Sequence, residues 1–573
     1  MRRILVGAVA ALGVAAFAAP TSAGAQPRED AGPREYVVLY REGASADTAR
    51  AQLAAAGGTV VRENRAVGVA TVRSSRSDFA AAAGRASAID GVAGNRSIGS
   101  APAAERTRAK LAAVEREGRA AGTAAAKGST AGSTEPLANL QWDMRQIDAT
   151  PSGSYAVERG RKGVRVGIID TGIDGSHPDI APNFNAGLSR NFTVDIPTDA
   201  NGEPIDGPCA EEPDQSCNDP ADVDEDGHGT HVASTIGSPL NGLGIGGVAP
   251  NVTLVNVRAG QDSGYFFLQP TVDALVYSGD VGLDVVNMSF YVDPWLFNCL
   301  NNAADAPADR AEQRTIIRAM QRALNYAYRH GVTLLSAAGN GATDYTKPSI
   351  DPSSPDFADV PGEAPYDRTI DPQTCTSMPS EGRHVISVSS TGISTRKAYY
   401  SDYGYGYVDV AAPGGDVYDT PGGVRDITKA VLAAYPKSLA VANGELDPDG
   451  TPNVNYVVRD CKGTTCAYYQ YLQGTSMASP HAAGVAALIV SRYGHPAAGG
   501  GLGLEPRRTE RRLLETAVDH ACPDPRTYTY TRQVPQPDGT TSTVVTTATC
   551  EGPPSDNGFY GEGIVNALRA VKG

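Results

Sequence analysis

From about Glu135 onward, short apolar runs alternate with helix-like stretches, and this pattern restricts the fold more than anything else in the chain. Residues 164–170, 253–257, 285–290, 332–337, 385–388 and 408–411 read as strands. Their near-continuous apolar character means burial on both faces, which is the condition of strands in a parallel sheet. Between them lie amphipathic stretches such as 311–330, where Ile316, Met320, Leu324 and Ala327 form one stripe at helical spacing. The pattern predicts an α/β fold: a doubly wound, mostly parallel sheet with helices on both faces. In such sheets ligand chemistry gathers at the carboxyl ends of the strands. A hydrophobic fraction of 41% suits that core, and 573 residues leave room for a second folding unit.

That second unit precedes the first. Residues 36–40 read as a strand, 46–56 as an Ala-rich helix, 58–72 as two β-rich runs and 77–88 as a helix, followed by a short strand. The β-α-β-β-α-β order is a split βαβ pattern, a small ferredoxin-like α+β domain placed within 26–100. Residues 101–135 are rich in Ala, Gly, Ser, Thr, Arg and Lys, with no Leu-Ile-Val periodicity after Val114. They read as a helical or flexible linker open to proteolysis. Residues 136–573 form the main domain.

Three features bear on location. Met1-Arg2-Arg3, the apolar run 4–19 and the small residues Ala23-Gly24-Ala25 make a secretory signal peptide, with cleavage expected after Ala25. The run is shorter than the roughly 20 residues of a spanning helix, and no later run is apolar for long enough. A secreted, extracellular protein with no membrane attachment after signal cleavage is therefore expected. Eight cysteines (209, 217, 299, 375, 461, 466, 522 and 550) suit export, where an even count suggests four disulfides. Consecutive pairing closes each Gly/Pro/Asp-rich insertion (about 201–222, 342–382, 415–470 and 520–558) locally. Zinc is the competing use, but the paired C-x-x-C and His pattern is missing.

The formal net charge of −15 is uneven. Residues 1–134 carry 18 basic and 11 acidic groups, or +7; residues 135–573 carry 31 and 53, or −22. An acidic main domain argues against nucleic acid as a partner. The better reading is that a basic N-terminal part is drawn to an acidic body, with two unrelated compositional biases as the alternative. A monomer is expected.

Three segments carry groups suited to nucleophilic catalysis. Val166-Gly167-Ile168-Ile169-Asp170-Thr171-Gly172 puts an acid at the end of a buried strand. Asp226-Gly227-His228-Gly229-Thr230-His231 puts histidines at a helix start, and Gly474-Thr475-Ser476-Met477-Ala478-Ser479-Pro480 does the same for a serine, with Thr475 expected as the N-cap. A serine hydroxyl needs a neighbouring base to take its proton, and that base needs a carboxylate to fix its tautomer. At a helix N-terminus the serine also gains free N–H groups and the positive dipole end, which suit an oxyanion. Leu334-Leu335-Ser336-Ala337-Ala338-Gly339-Asn340 ends a further strand with an amide that could donate to the same oxyanion.

These motifs closely resemble the three signatures of the subtilase (subtilisin-like) family, in that family's order of acid, histidine and serine. The resemblance spans about 36–571, apart from the insertions and the linker, and includes Gly247-Val248-Ala249-Pro250 after the histidine helix. It implies a serine endopeptidase with Asp170, His228 and Ser476 as the triad and Asn340 as the oxyanion donor. It also implies substrate binding along Ser289, Phe290, Tyr291, Ala337, Ala338 and Gly339. His231 and Ser479 are the local rivals, read as packing residues. Polypeptides are the implied substrates, and the small domain is implied to be an inhibitory, chaperone-like prodomain of an autoprocessed zymogen. No cofactor is implied for catalysis. A structural calcium ion is implied at Asp179 and Asn241, although the site's N-terminal glutamine ligand has no clear counterpart. Tyr291-Val292 stands where the family commonly has Gly-Gly, which predicts a crowded groove and narrow specificity. A catalytically silent binding protein on the same scaffold and an esterase or acyltransferase with the same triad are the alternative readings. The silent relatives lack a triad or oxyanion residue, whereas this chain has them all.

Overall fold

The computed structural model describes residues 33–94, 113–120, 135–198, 205–212, 215–356, 364–497, 501–536 and 538–572. The signal peptide and most of the 101–135 linker lie outside the described residues.

The small domain runs β1 (Arg34–Tyr40), α1 (Ala46–Ala55), β2 (Thr59–Asn64), β3 (Val69–Ser74), α2 (Phe79–Ala83) and β4 (Ile89–Gly94). Its antiparallel sheet has the order β2-β3-β1-β4. The two-residue period of β1 divides its side chains between two cores. Tyr36, Val38 and Tyr40 pack with Leu53 and Phe79 beneath the domain's own helices. Val37 and Leu39 face the other way, with Val67 and Val69, into the core of the main domain.

The main domain is a parallel seven-stranded sheet: β5 (Arg165–Ile169), β6 (Arg190–Asn191), β7 (Thr253–Arg258), β8 (Val285–Met288), β9 (Thr333–Ala337), β10 (Val385–Thr391) and β11 (Val410–Pro413). The order is β11-β10-β9-β8-β5-β7-β6, with every pairing parallel. From β5 the chain goes out to the edge strand β6, comes back through β7, then crosses to β8 on the other side. The crevice of such a sheet therefore opens at the carboxyl end of β5.

Helices cover both faces. On one, α3 (His228–Gly237) and α6 (Thr475–Tyr493) share a core with Val166, Ile168, Leu335 and Val388. On the other, α4 (Leu268–Asp280) and α5 (Pro307–Arg329) pack on Ile169, Val286, Met288 and Leu334. The small domain docks on α4 and α5. Each of its buried Val and Leu side chains there contributes about 1.5–3 kcal/mol. Ion pairs of both polarities rim the contact: Arg62 with Asp273, and Asp90 with Arg318 and Arg322. The docking is thus apolar at its centre, not a meeting of one basic and one acidic surface.

The insertions are stapled by Cys209–Cys217, Cys299–Cys375, Cys461–Cys466 and Cys522–Cys550, the consecutive pairing expected from the sequence. Three of them build small sheets of their own, one by pairing Ser349–Asp351 with Arg368–Ile370; the other two are larger. One contains β12 (Val431–Ala434), β13 (Val457–Lys462) and β14 (Thr465–Leu472); the other is the hairpin β15 (Thr527–Pro535) and β16 (Thr541–Thr549). Among the described residues no helix is long and apolar enough to cross a membrane.

Candidate active site

Asp170 follows the last residue of β5 and is fully buried. Its Oδ1 accepts from Thr171 N at 2.9 Å and from His228 Nδ1 at 2.7 Å. The approach is close because α3 begins against the Asp170 turn. A Cβ on Gly229 would lie 2.1 Å from the Gly172 carbonyl oxygen, so a larger residue there would force the helix away. Asp224, buried beside this start, accepts from the N–H groups of Gly227 and Thr230, both at 2.9 Å, and so satisfies donors the helix leaves open.

Ser476 is the second residue of α6. The N-cap is Gly474, not Thr475, which is the first helical residue. Thr475 instead binds Asn340: Asn340 Oδ1 accepts from Thr475 N and Oγ1, both at 2.9 Å. This fixes the amide with its NH2 group aimed at Ser476. Gly474 has φ 154, and a Cβ there would press on Glu115 Cγ and Oε1 at 3.2 Å.

Asp170, His228, Ser476 and Asn340 thus converge at the carboxyl edge of the sheet. His228, Ser476 and Asn340 line one cleft with Ser289, Phe290, Tyr291, Ala337, Ala338 and Gly339. Phe290 stacks on Phe266, with ring centroids 4.0 Å apart, and the Tyr291 hydroxyl donates to Asp356 at 2.8 Å. His231 does not reach this cleft. It is fully buried with Nε2 on the Val431 carbonyl at 3.1 Å, and burial with the neighbouring His228 lowers its pKa to about 3. Ser479 donates to Asn287 at 2.6 Å within the core.

One group in the cleft has no counterpart in the sequence reading. Residues 113–120 of the linker lie across the site, and Glu115 reaches into it. Its Oε1 accepts from Ser476 Oγ at 2.7 Å and from Asn340 Nδ2 at 3.2 Å, while Oε2 is 3.7 Å from His228 Nε2. The serine proton is therefore directed to Glu115. Burial opposes charge on His228, but Asp170 and Glu115, with Asp226 nearby, overcome it and raise its pKa to about 10. The Glu115 carbonyl accepts from Gln473 N at 3.1 Å, and Arg116 pairs with Asp226 at 3.1 Å. The clustered charges of Glu115-Arg116-Glu117-Gly118-Arg119 were the available signal in an otherwise Ala-rich linker.

The expected calcium ligands Asp179 and Asn241 lie together, with the Glu135 carboxylate on Gly242 N beside them. Asn241 turns its NH2 to Asp179 Oδ1 at 3.0 Å, and Asp179 Oδ2 accepts from Ile245 N and Tyr469, both at 3.1 Å. Lys462 Nζ donates to the Asn241 backbone carbonyl at 2.6 Å. Elsewhere Asp195, Asp219 and Asp262 converge, as do Glu212, Glu225 and Asp262. The first group surrounds the buried Arg258 guanidinium, and burial among carboxylates raises Asp262 to about 9.

A parallel sheet in this order, with an acid after the central strand, a histidine opening one helix and a serine opening another, is the arrangement of the subtilisin-like serine peptidases. The chain belongs to the subtilase family, whose model matches residues 161–563. It is 26% identical over 340 residues to a thermophilic serine proteinase of Bacillus sp. (strain AK1), covering 59% of this chain and 55% of that relative. It is 28% identical over 341 residues to subtilisin DY of Bacillus licheniformis, covering 58% and 80%. In fold it is similar to the epidermin leader peptide processing serine protease of Staphylococcus aureus, with a TM-score of 0.59 at 21% identity over 94% of this chain and 98% of that one.

Proposed function

We propose that the chain is a secreted serine endopeptidase that hydrolyses polypeptides through an acyl-enzyme and is made as an autoprocessed precursor. Ser476 attacks the scissile carbonyl while His228 takes its proton and delivers it to the leaving amine. Asp170 orients the imidazole, and Asn340 with the Ser476 N–H holds the oxyanion. Substrate lies extended along Ser289–Tyr291 and Ala337–Gly339, where the fixed Tyr291 ring narrows the choice of side chain. The small domain and the linker keep the precursor silent until the chain is cut between about 100 and 136, so that the segment from Pro136 to Ile147 begins the mature enzyme.

What supports this reading is the Glu115 carboxylate. Its Oε1 accepts from both the serine hydroxyl and the Asn340 amide, so the nucleophile and an oxyanion donor face the same point, with the imidazole on the other carboxylate oxygen. The test is Ser476→Ala. Proteolysis by the secreted protein should fall by a factor on the order of 10⁴–10⁶, and intact-mass measurement should find the precursor uncut. Proteolysis at the original rate in a folded sample would overturn the assignment.

A further inference from the structure

Two residues beyond Glu115, a second linker carboxylate is held by groups that take no part in the triad. Glu117 Oε1 accepts from the Tyr418 hydroxyl at 2.7 Å; Oε2 accepts from the Tyr399 hydroxyl and, at 3.4 Å, from Gln473 Nε2. Tyr418 and Gln473 are fully buried and Tyr399 is nearly so. The Arg532 guanidinium, from strand β15, lies 3.8 Å from the centre of the Tyr399 ring and 5.6 Å from that of Tyr418. Its buried Nε has no hydrogen-bond partner. Two phenols and a carboxamide thus converge on one acidic group, and a cation lies over the phenol rings.

The site is built by the body of the protein. Asp416, fully buried, accepts from the backbone N–H groups of both tyrosines, Tyr418 at 3.0 Å and Tyr399 at 3.3 Å, and is itself paired with Arg396 at 2.9 Å. Gln473 Oε1 accepts from Val417 N at 2.8 Å, which turns its NH2 outward. The Gln473 NH2 also has the Val114 carbonyl at 2.9 Å, but burying the two phenols with no acceptor would be costly, so the pocket calls for one. In the precursor, Glu117 supplies it.

Position gives the pocket a use. Glu115 Oε1 lies at the Ser476 hydroxyl and the Asn340 amide, and from there the linker runs past Gln473 to Gln470 and Asn455. We propose that Tyr399, Tyr418, Gln473 and Arg532 form a carboxylate-binding subsite for polypeptide substrates, which takes a Glu or Asp side chain a few residues after the scissile bond. The assignment of sides rests on the peptidase reading above; the carboxylate site itself does not. Once the linker leaves, the pocket discriminates among substrates by charge, through a residue carried on an insertion outside the catalytic sheet. A neutral isostere fits the same space but accepts weaker hydrogen bonds from the phenols and gains nothing from the Arg532 charge over their rings.

Two measurements test this. In quenched fluorescent peptides, Glu or Gln is placed in turn at each of the four positions after the scissile bond and offered to the mature secreted enzyme. At one position kcat/KM should favour Glu at least tenfold, and Arg532→Gln should bring that ratio to near one. A ratio near one at all four positions, in an enzyme that cleaves them, overturns the subsite. In the full-length Ser476→Ala chain, amide hydrogen exchange of residues 113–120 should quicken at least tenfold with Arg532→Gln or with Glu117→Gln, and no further when the two are combined. Unchanged exchange overturns the carboxylate site. Failure to cleave any peptide, together with the expected exchange, would remove the peptidase reading and leave the carboxylate site standing.

Discussion

His228 carries two different chemistries according to what stands beside Nε2. With Glu115 at 3.7 Å on one side and Asp170 at 2.7 Å on the other, the imidazole is held as a cation, its pKa near 10, and cannot accept the Ser476 proton. Replacing Glu115 by Gln in the Ser476→Ala chain should therefore lower the His228 titration, followed by NMR of its ring protons, by about one to two units; a value still near 10 would contradict the assignment of the shift to this contact. Asn340 has two tasks as well. Asn340→Ala should reduce kcat about 10²–10³-fold, the loss typical of removing such a donor from a subtilisin, with little change in KM. Because its Oδ1 also holds the first N–H of α6, thermal stability should fall too, by about 1 kcal/mol. Steady-state kinetics and calorimetry would read the two effects separately.

At the scale of elements, the contact between β4 and α5 sets how the small domain sits. Gly91 faces Thr315 so closely that an added Cβ would lie 2.3 Å from Thr315 Oγ1 and 3.1 Å from its Cβ and Cγ2. Gly91→Ala should loosen docking by about 1–3 kcal/mol, and Thr315→Ala should recover most of it. Hydrogen exchange across β4 in the Ser476→Ala precursor would show this as coupled protection. The six long-range strands were legible because burial on both faces leaves an unbroken apolar run. Their ends moved by one to three residues, at the places where the chain turns into the cleft and Asp170, Ser289 and Asn340 leave the sheet. The two-residue strand β6 carries too little pattern to be read. The hairpin β15–β16 was within reach, since Thr-Tyr-Thr-Tyr alternates and Asp538-Gly539 marks its turn. The linker contact was not. Glu115 meets Ser476 across 361 positions, and an Ala-rich segment shows no periodicity that would say which face it presents, or to what.

At the scale of the whole molecule, the latency proposed for the precursor would be a balance between the tethered linker and bulk solvent, and protons enter that balance. The groups facing His228 are Asp170 after β5, Glu115 from the linker, Asp226 with its partner Arg116, and the neutral His231 one turn along α3. When the linker departs, Glu115 departs with it and the imidazole pKa falls. Docking therefore takes up a proton at any pH between the undocked pKa and about 10. The sign follows: the stabilisation is complete below the undocked value and is lost as pH rises through the docked one. Within that window docking should weaken about tenfold per pH unit. Activity cannot report this cleanly, because the same deprotonation also creates the catalytic base. A fluorophore on the exposed linker residue 113, introduced by Ala113→Cys in the Ser476→Ala chain, reads docking alone. Its anisotropy should fall as pH rises from about 8 to 10, whereas with Glu115→Gln it should start lower and change little. Anisotropy that stays flat in both chains would mean that the His228–Glu115 pair does not hold the linker down, and that latency rests on the apolar docking of the small domain alone.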